Sequence, residues 1–468
     1  MMLTINDKKK RIYFLAICGT AMASLAAMLK AKGYSVYGVD EGVYPPMSDF
    51  LAEQAISAFE GFDAAHLDPA PDLVVVGNAI SRGNVEIEEI LDRHIHYISL
   101  PDALREFIIR GKRSIVVTGT HGKTTTTSLL SHIFETAGRS PSFFIGGIPN
   151  NFKRGFQLGA GDDIIIEGDE YDSAFFDKAA KFLRYMPDIG VINAVEYDHA
   201  DIYSSIEEIK LAFRRFVNLI PRNGLLAACA DDANVMQVVQ KAFCPVVTFG
   251  LTGADWHAEE LTTTEEGMSF NVLNHSRFVQ RISTSLVGNH HVRNILACHV
   301  VADAVGIAPS AVQQALSSFA GVKRRLEFKG MVRGIKIYDD FGHHPTAVRE
   351  TLAACRAQHP GKQIWAFYEP RSATSRRNVF QNEFVDAFNE ADVVLIAPVH
   401  RPDKAPQDQL FSTHLLAEEL KKKGKTSATM DIKGMVDFAR QHAQDSDIIV
   451  TFSNGPFGNI HQILLNSL

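Results

Sequence analysis

Short apolar runs, each ending in a polar, glycine-containing loop, recur along the chain, and several lead into helical periodicity. Ile12 to Ile17 (IYFLAI) reads as a buried strand, Cys18-Gly19-Thr20 as a turn, and Ala21 to Lys32 as a helix closed by Gly33. A second strand, Tyr34 to Val39, finishes at Asp40, 21 residues beyond Gly19. That spacing predicts the βαβ unit of a nucleotide-binding fold, where an acidic residue ending the second strand meets a ribose hydroxyl. Of the GxGxxG fingerprint only Gly19 is present. The same region has the parts of a secretory leader: the basic run Lys8 to Arg11, uncharged residues from Ile12 to Leu29, and Ala21-Met22-Ala23. The downstream strand and Asp40 favour the strand–helix reading. Asp72 to Gly77 (DLVVVG) predicts a further parallel strand. Its loop, Asn78 to Ser81, stands at the carboxyl end, where open parallel sheets bind ligands. Taken singly, Asn78 and Ser81 read as ordinary loop residues.

Around Arg110-Gly111-Lys112-Arg113 the pattern turns polar and basic, which predicts a domain boundary. Ser114 to Thr118 (SIVVT) then forms a strand, followed by Gly119-Thr120-His121-Gly122-Lys123-Thr124-Thr125 and a helix to about Glu135. Glycines there let backbone N–H groups turn to a phosphate, and the helix start adds a favourable dipole. Lys123 suits the outer phosphates and the Thr124 hydroxyl a magnesium ion. The strict GxxxxGK[ST] pattern would need glycine where Val117 stands. Two more strands, Asp163 to Ile166 and Ile189 to Ile192, deliver Glu167-Gly168-Asp169-Glu170-Tyr171-Asp172 and Asn193 with Asp198-His199-Ala200-Asp201. Any one of these acids is ordinarily a solvated loop charge. Three polar clusters at successive strand ends instead predict an ATP–magnesium site.

Composition bounds this picture. At roughly 150 residues per domain, 468 residues make about three domains. A 46% hydrophobic fraction excludes a disordered or collagen-like chain. With 47 basic against 54 acidic residues the net charge is −7, which argues against nucleic acid as a partner. Five scattered cysteines without a CxxC pair predict neither a disulfide framework nor a zinc site, and suit a cytoplasmic protein. Lys421 to Lys425 reads as a helix end rather than a membrane patch. Residues 226–287 read as mixed strands and helices.

The order GTHGKT, Glu167, Asn193 with Asp198-His199, Gly288 to Asn294 (GNHHVRN), Gly321 to Arg325 (GVKRR) and Asp339 to Pro345 (DDFGHHP) resembles the Mur ligase family across nearly the whole chain. The resemblance implies an α/β chain of three domains. These are a Rossmann-like UDP-sugar domain (1–110), a central P-loop ATPase domain (111–324) and a C-terminal Rossmann-like domain (325–468) for the incoming amine. It implies that Gly119, Thr120, His121, Gly122, Lys123, Thr124 and Thr125 hold ATP phosphates. Asn294 would face adenine beside His290, while Arg325 and Asp340 would reach the nucleotide from the other side. Thr124, Glu167 and His199 would ligate Mg2+, and Lys123, Glu167, His199 and Arg325 would be the catalytic set. Gly19, Thr20, Asp40, Asn78 and Ser81 would serve the UDP-sugar. Where the family pattern reads His-Asn, this chain has His290-His291.

Tyr44 to Ser48, Glu170 to Phe176, Glu369 to Arg377 (EPRSATSRR) and Ser453 to Gly458 are similar to a particular group within that family. Its members join UDP-N-acetylmuramate to the tripeptide L-Ala-γ-D-Glu-meso-diaminopimelate in cell-wall recycling. The alternative is alanine addition. The 369–377 loop follows the strand Gln363 to Tyr368, and Arg371, Ser372, Arg376, Arg377 and His344 are the candidate peptide contacts, since guanidinium groups bind carboxylates bidentately. His400 to Lys404, after Val393 to Ala397, is a second candidate edge of that pocket. As the base that deprotonates the amine, His199 and His344 both qualify. Two other classes compete. A nicotinamide dehydrogenase leaves Lys123-Thr124 and the acidic clusters unused, and a P-loop regulatory protein binds ATP without chemistry.

Overall fold

The apolar runs form strands buried on both faces, which explains why Leu73–Val76, Ile189–Ile192 and Ile448–Phe452 show no polar alternation. The computed structural model describes residues 10–468, so Lys8 and Lys9 of the basic run lie outside the described residues. Strands and helices alternate through three large sheets, with a two-stranded hairpin of Asp172–Ala174 and Asp177–Ala180 besides, an α/β architecture with mainly parallel pairing.

The first sheet is all parallel, in the order Ser57–Glu60, Ser35–Asp40, Arg11–Leu15, Leu73–Val76, Tyr97–Ser99. The chain leaves Arg11–Leu15 towards one edge and later returns to its other side. The loops after Arg11–Leu15 and Leu73–Val76 therefore flank the switch point, where such sheets open a crevice. The signal-like run is thus a strand and the helix Thr20–Ala31, whose residues Met22 to Leu29 are buried.

Ten strands make the central sheet. Arg113–Thr118 lies between Ile189–Ile192 and Asp163–Gly168, all parallel, and Leu225–Cys229 and Val246–Gly250 continue beyond Ile189–Ile192. The helices Lys123–Thr136 and Asn289–Ala304 share one core with it, through Leu129, Ile133, Ile295 and Leu296. Asp163–Gly168 runs two residues past the apolar run, because Glu167 and Gly168 still pair with Val117 and Thr118. Glu167 is consequently held on the strand itself. The 226–287 region holds one helix, Ala233–Val239. It then turns to strands, with Trp256–Thr264, Gly267–Asn274 and Arg277–Thr284 adding an antiparallel extension.

The third sheet runs Glu327–Val332, Ile335–Asp340, Ile448–Phe452, Ile364–Tyr368, Val393–Ile396, Thr426–Thr429, parallel except for its first pair. Its carboxyl edge carries Asp340, the 369–377 loop and Ser453. Lys421 and Lys422 end the helix Thr413–Lys422. Among the described residues no helix is long and apolar enough to cross a membrane.

One buried group makes the central sheet acid-sensitive. His299, 2% exposed, stacks on Trp256 with ring centroids 5.8 Å apart, and its Nε2 lies 3.3 Å from the Gln280 amide. Burial pushes its pKa down to about 4, against an ordinary value of about 6.5 in the unfolded chain. The unfolded state therefore takes up a proton first as pH falls, and stability present above pH 6.5 is lost on the way to pH 4. The loss amounts to about 3 kcal/mol. We expect urea melts followed by tryptophan fluorescence to shift down over that window, and His299→Leu to flatten the shift. An unchanged pH dependence in His299→Leu would refute the assignment.

Candidate active site

Because neighbouring parallel strands end on one edge, the loops after Arg113–Thr118, Asp163–Gly168 and Ile189–Ile192 converge. The first is the glycine loop. Gly119 has φ +130°, and a Cβ there would meet the Ala194 nitrogen at 2.8 Å. Gly122 has φ +79°, and its Cβ would meet Asn294 Oδ1 at 2.6 Å and Asn193 Nδ2 at 2.8 Å. The Thr120 N–H donates to the Ala194 carbonyl at 2.8 Å, fastening the loop to the neighbouring strand end. The helix Lys123–Thr136 begins without a side-chain cap, which leaves its first N–H groups available to an anion.

Charge is concentrated behind this loop. Lys123 Nζ donates to Glu170 Oε2 at 2.7 Å, to Oε1 at 3.0 Å, and to the Gly119 carbonyl at 2.7 Å. Burial opposes its charge, but Glu170 and Asp169 hold its pKa above the ordinary lysine value. The Thr124 hydroxyl donates to Glu167 Oε1 at 2.8 Å, the Gly146 N–H donates to Oε2 at 2.7 Å, and Arg325 Nη2 donates to the Thr124 hydroxyl at 3.2 Å. Burial nevertheless raises the Glu167 pKa despite nearby Lys123 and Arg325, so this carboxylate is short of positive charge. The structure sets His199 beside Glu170 rather than Glu167: His199 Nε2 lies 3.2 Å from Glu170 Oε1, and Asp169, Glu170 and His199 form one potential ligand cluster. Burial works against a charged His199, yet the Glu170 hydrogen bond carries its pKa up to about 9.

These donors suit magnesium. Hydroxyl and carboxylate oxygens are its preferred ligands, Glu167 lacks charge compensation, and Asn193 Oδ1 is buried without any hydrogen-bond partner.

The third sheet closes the site from the other side, leaving a cavity of about 570 Å³ lined by Lys123, Glu167, His199, Asn294, Arg325 and Asp340 among others. Arg325 lies over the Phe341 ring at 5.2 Å. Asp340 accepts the N–H groups of Leu326 and Gly342, both at 2.7 Å, and burial raises its pKa in spite of Arg325. Asn294 faces Gly122, so it stands at the phosphate loop. His290 approaches Glu350 at 3.7 Å, and His291, 6% exposed, has an unpartnered Nδ1. His121, Thr120 and Thr125 also line the cavity.

A clasp joins the third sheet to the His199 loop. The Thr374 hydroxyl donates to Asp198 Oδ1 at 2.7 Å and accepts the Ala200 N–H at 3.2 Å. Arg377 Nη1 donates to the Ala200 carbonyl at 2.8 Å. Arg377 is therefore engaged between units, and the buried Ser372 hydroxyl is engaged with Ser375 at 2.9 Å. Arg371 lies against Gly455, and Arg376 Nε donates to the His400 carbonyl at 2.8 Å. Burial and the neighbouring Arg371 charge press the Arg376 pKa down, the mark of an anion-seeking cluster. His344 has both ring nitrogens occupied. Nε2 donates to the Tyr197 carbonyl at 3.1 Å, and Nδ1 accepts the Thr346 N–H at 3.3 Å. With His199 Nε2 engaged by Glu170 and both His344 ring nitrogens occupied, this geometry singles out neither histidine as the base.

The expected UDP-sugar residues do not line this cavity. Gly19, Thr20, Asn78 and Ser81 are exposed at the carboxyl edge of the first sheet, and Asp40 accepts the Cys18 N–H at 2.8 Å. Phe176 bridges the distance by packing edge-on against Tyr97, with centroids 5.0 Å apart. Glu170 belongs to the strand-end cluster expected from the sequence, whereas Glu196, four residues past Ile189–Ile192, is a functional neighbour the sequence reading missed, although the strand-end rule that found Glu167 and His199 reaches it. Glu350 reaches the site from inside a helix and carried no such signal.

Models of the Mur ligase family match this sequence: the family's catalytic domain over residues 11–112, the middle domain over 117–302 and the glutamate ligase domain over 324–455. The chain is 39% identical, over 98% of both chains, to UDP-N-acetylmuramate--L-alanyl-gamma-D-glutamyl-meso-2,6-diaminoheptandioate ligase of Escherichia coli (strain K12). It is 31% identical to UDP-N-acetylmuramate--L-alanine ligase of Acetivibrio thermocellus, over 98% of this chain and 96% of that one. Among solved structures, a murein peptide ligase from Psychrobacter arcticus superposes with a TM-score of 0.71 at 34% identity, covering 98% of each chain.

The Gly122 contacts are testable. Gly122→Ala places a Cβ in a left-handed conformation, against both asparagines, and the strain alone is about 1–2 kcal/mol. We expect a tenfold or greater loss of ATP affinity in a calorimetric titration, with the melting temperature lowered by a few degrees, about what that strain predicts.

Proposed function

The chain belongs to the Mur ligase family of ATP-dependent, amide-forming ligases, and we propose that it joins UDP-N-acetylmuramate to L-Ala-γ-D-Glu-meso-diaminopimelate. The observation that carries the reading is the shared cavity, where the phosphate loop, buried carboxylates and Arg325 meet beside the basic 369–377 loop. The higher identity to a tripeptide ligase than to an alanine ligase supports the peptide as substrate.

In this reading the lactyl carboxylate attacks the γ-phosphate of ATP, ADP leaves, and an acyl phosphate forms. The alanyl amine of the tripeptide then attacks the carbonyl, and inorganic phosphate leaves. Two anions must approach in the first step, so local positive charge governs it. Lys123 exchanges Glu170 for phosphate oxygens, with Gly119 to Thr125 supplying N–H groups. Arg325 adds its charge from the third sheet while Asp340 fixes the backbone on which Arg325 stands. Thr124, Glu167 and His199, with Glu170 alongside, would hold Mg2+, whose charge offsets the repulsion between carboxylate and phosphate. His290 and Asn294 border the nucleotide. Gly19, Thr20, Asp40, Asn78 and Ser81 serve the UDP-sugar at the first sheet's switch point. Arg371 and Arg376 receive peptide carboxylates, while Ser372, Arg377 and His344 shape the loop and its seat. Domains of 1–110, 111–324 and 325–468 divide these tasks. A cytoplasmic location accords with ATP use and with five free cysteines.

Phosphate release coupled to a colour reaction tests the substrate. With ATP and UDP-N-acetylmuramate present, we expect turnover with the tripeptide to exceed that with L-alanine by at least about tenfold. A preference for free alanine would assign the chain to alanine addition. Since ligand groups come from several sheets, we also expect the scattering profile to contract when an ATP analogue and sugar nucleotide are added together. Superimposable profiles would remove closure from the mechanism.

A further inference from the structure

Beside the phosphate loop lies a second cluster that the ligase chemistry does not use. His121, Glu196 and His344 each present one donor atom, and the three atoms lie within 4.8 Å of one another. Glu196 Oε2 is 3.3 Å from His121 Nε2 and 3.5 Å from His344 Nδ1. The first is within hydrogen-bond reach and the second is long for one. Both match the spacing of about 3.3 Å between two donors held about 2.0–2.1 Å from one tetrahedral ion.

The surroundings are those of a ligand set. His344 Nε2 donates to the Tyr197 carbonyl, which places the remaining lone pair on Nδ1, facing Glu196. The Thr346 hydroxyl donates to Glu196 Oε2 at 2.7 Å and orients the carboxylate. The Thr346 N–H donates to the same Nδ1 at 3.3 Å, so an incoming ion has to displace that helix-capping bond. All three residues line the cavity, so an ion can enter and one coordination position can remain open.

We propose that His121, Glu196 and His344 form a binding site for a divalent transition metal of the zinc class, separate from the magnesium ligands. Two imidazoles and one carboxylate suit Zn2+ or Co2+, whereas Mg2+ favours oxygen donors. His121 and Glu196 stand on the central sheet's loops and His344 begins a helix of the third unit. A bound ion therefore crosslinks the two units across the cavity and shares that space with the nucleotide.

The test uses the full-length protein, stripped of metal and titrated with Co2+ in excess Mg2+, followed by visible absorption. One Co2+ per chain should bind with the strong absorption of a low-coordinate site and be displaced by Zn2+. Glu196→Gln and His344→Gln should each weaken it about tenfold or more, and Glu170→Gln should leave it unchanged. His121→Asn repeats the test at a ligand more accessible than His344, should the His344 variant not fold. Undiminished binding in Glu196→Gln and His121→Asn would overturn the site, as would loss confined to Glu170→Gln, which would put the ion on the Asp169–Glu170–His199 cluster.

Discussion

Crowding buried and half-buried carboxylates at one sheet edge with few cations among them is the constraint from which this site is built. Glu167, Asp169 and Glu170 follow one another off a single strand, and Asp198 arrives from the next strand but one. In a medium of reduced dielectric their mutual repulsion would be severe unless answered locally. Lys123 answers Glu170, Lys181 answers Asp169 at 2.6 Å, and Glu167 is left with a hydroxyl, a backbone N–H and a distant guanidinium. The arrangement is stable as it stands, yet poised to accept further positive charge. A lysine that is already charged and buried can be handed from a carboxylate to a phosphate without first being desolvated.

The elements were legible because their signals are local. Apolar runs of four to six residues bounded by glycine loops marked the parallel strands, and the GTHGKT stretch marked the phosphate loop within its strand–helix setting. Strand ends on one edge then brought Glu167, Asn193 and His199 near Lys123, as neighbouring parallel strands must. Pairings within the cluster were not legible. Nothing in the order Glu167-Gly168-Asp169-Glu170 tells which carboxylate takes Lys123, since that depends on side-chain reach at one register.

Contacts between sheets were hidden for a different reason. Thr374 and Asp198 are 176 residues apart, and no periodicity connects a loop of the third sheet to one of the second. The basic loop was readable as basic, but its arginines divide by geometry: Arg377 is turned to a backbone carbonyl of the central unit while Arg371 and Arg376 stay within their own. Composition cannot make that division. The same holds for Phe176, an apolar residue in an acidic loop, whose packing on Tyr97 ties the phosphate site to the first sheet.

The clasp between Arg377 and the Ala200 carbonyl bears on how this protein could be blocked and how it could escape. A compound wedged between these two loops would hold His199 away from its place without resembling ATP or sugar. Its target atom would be a main-chain oxygen, which exchange of the alanine side chain does not remove. Resistance would have to arise at Arg377 or Thr374, where the escaping chain would surrender its own fastening.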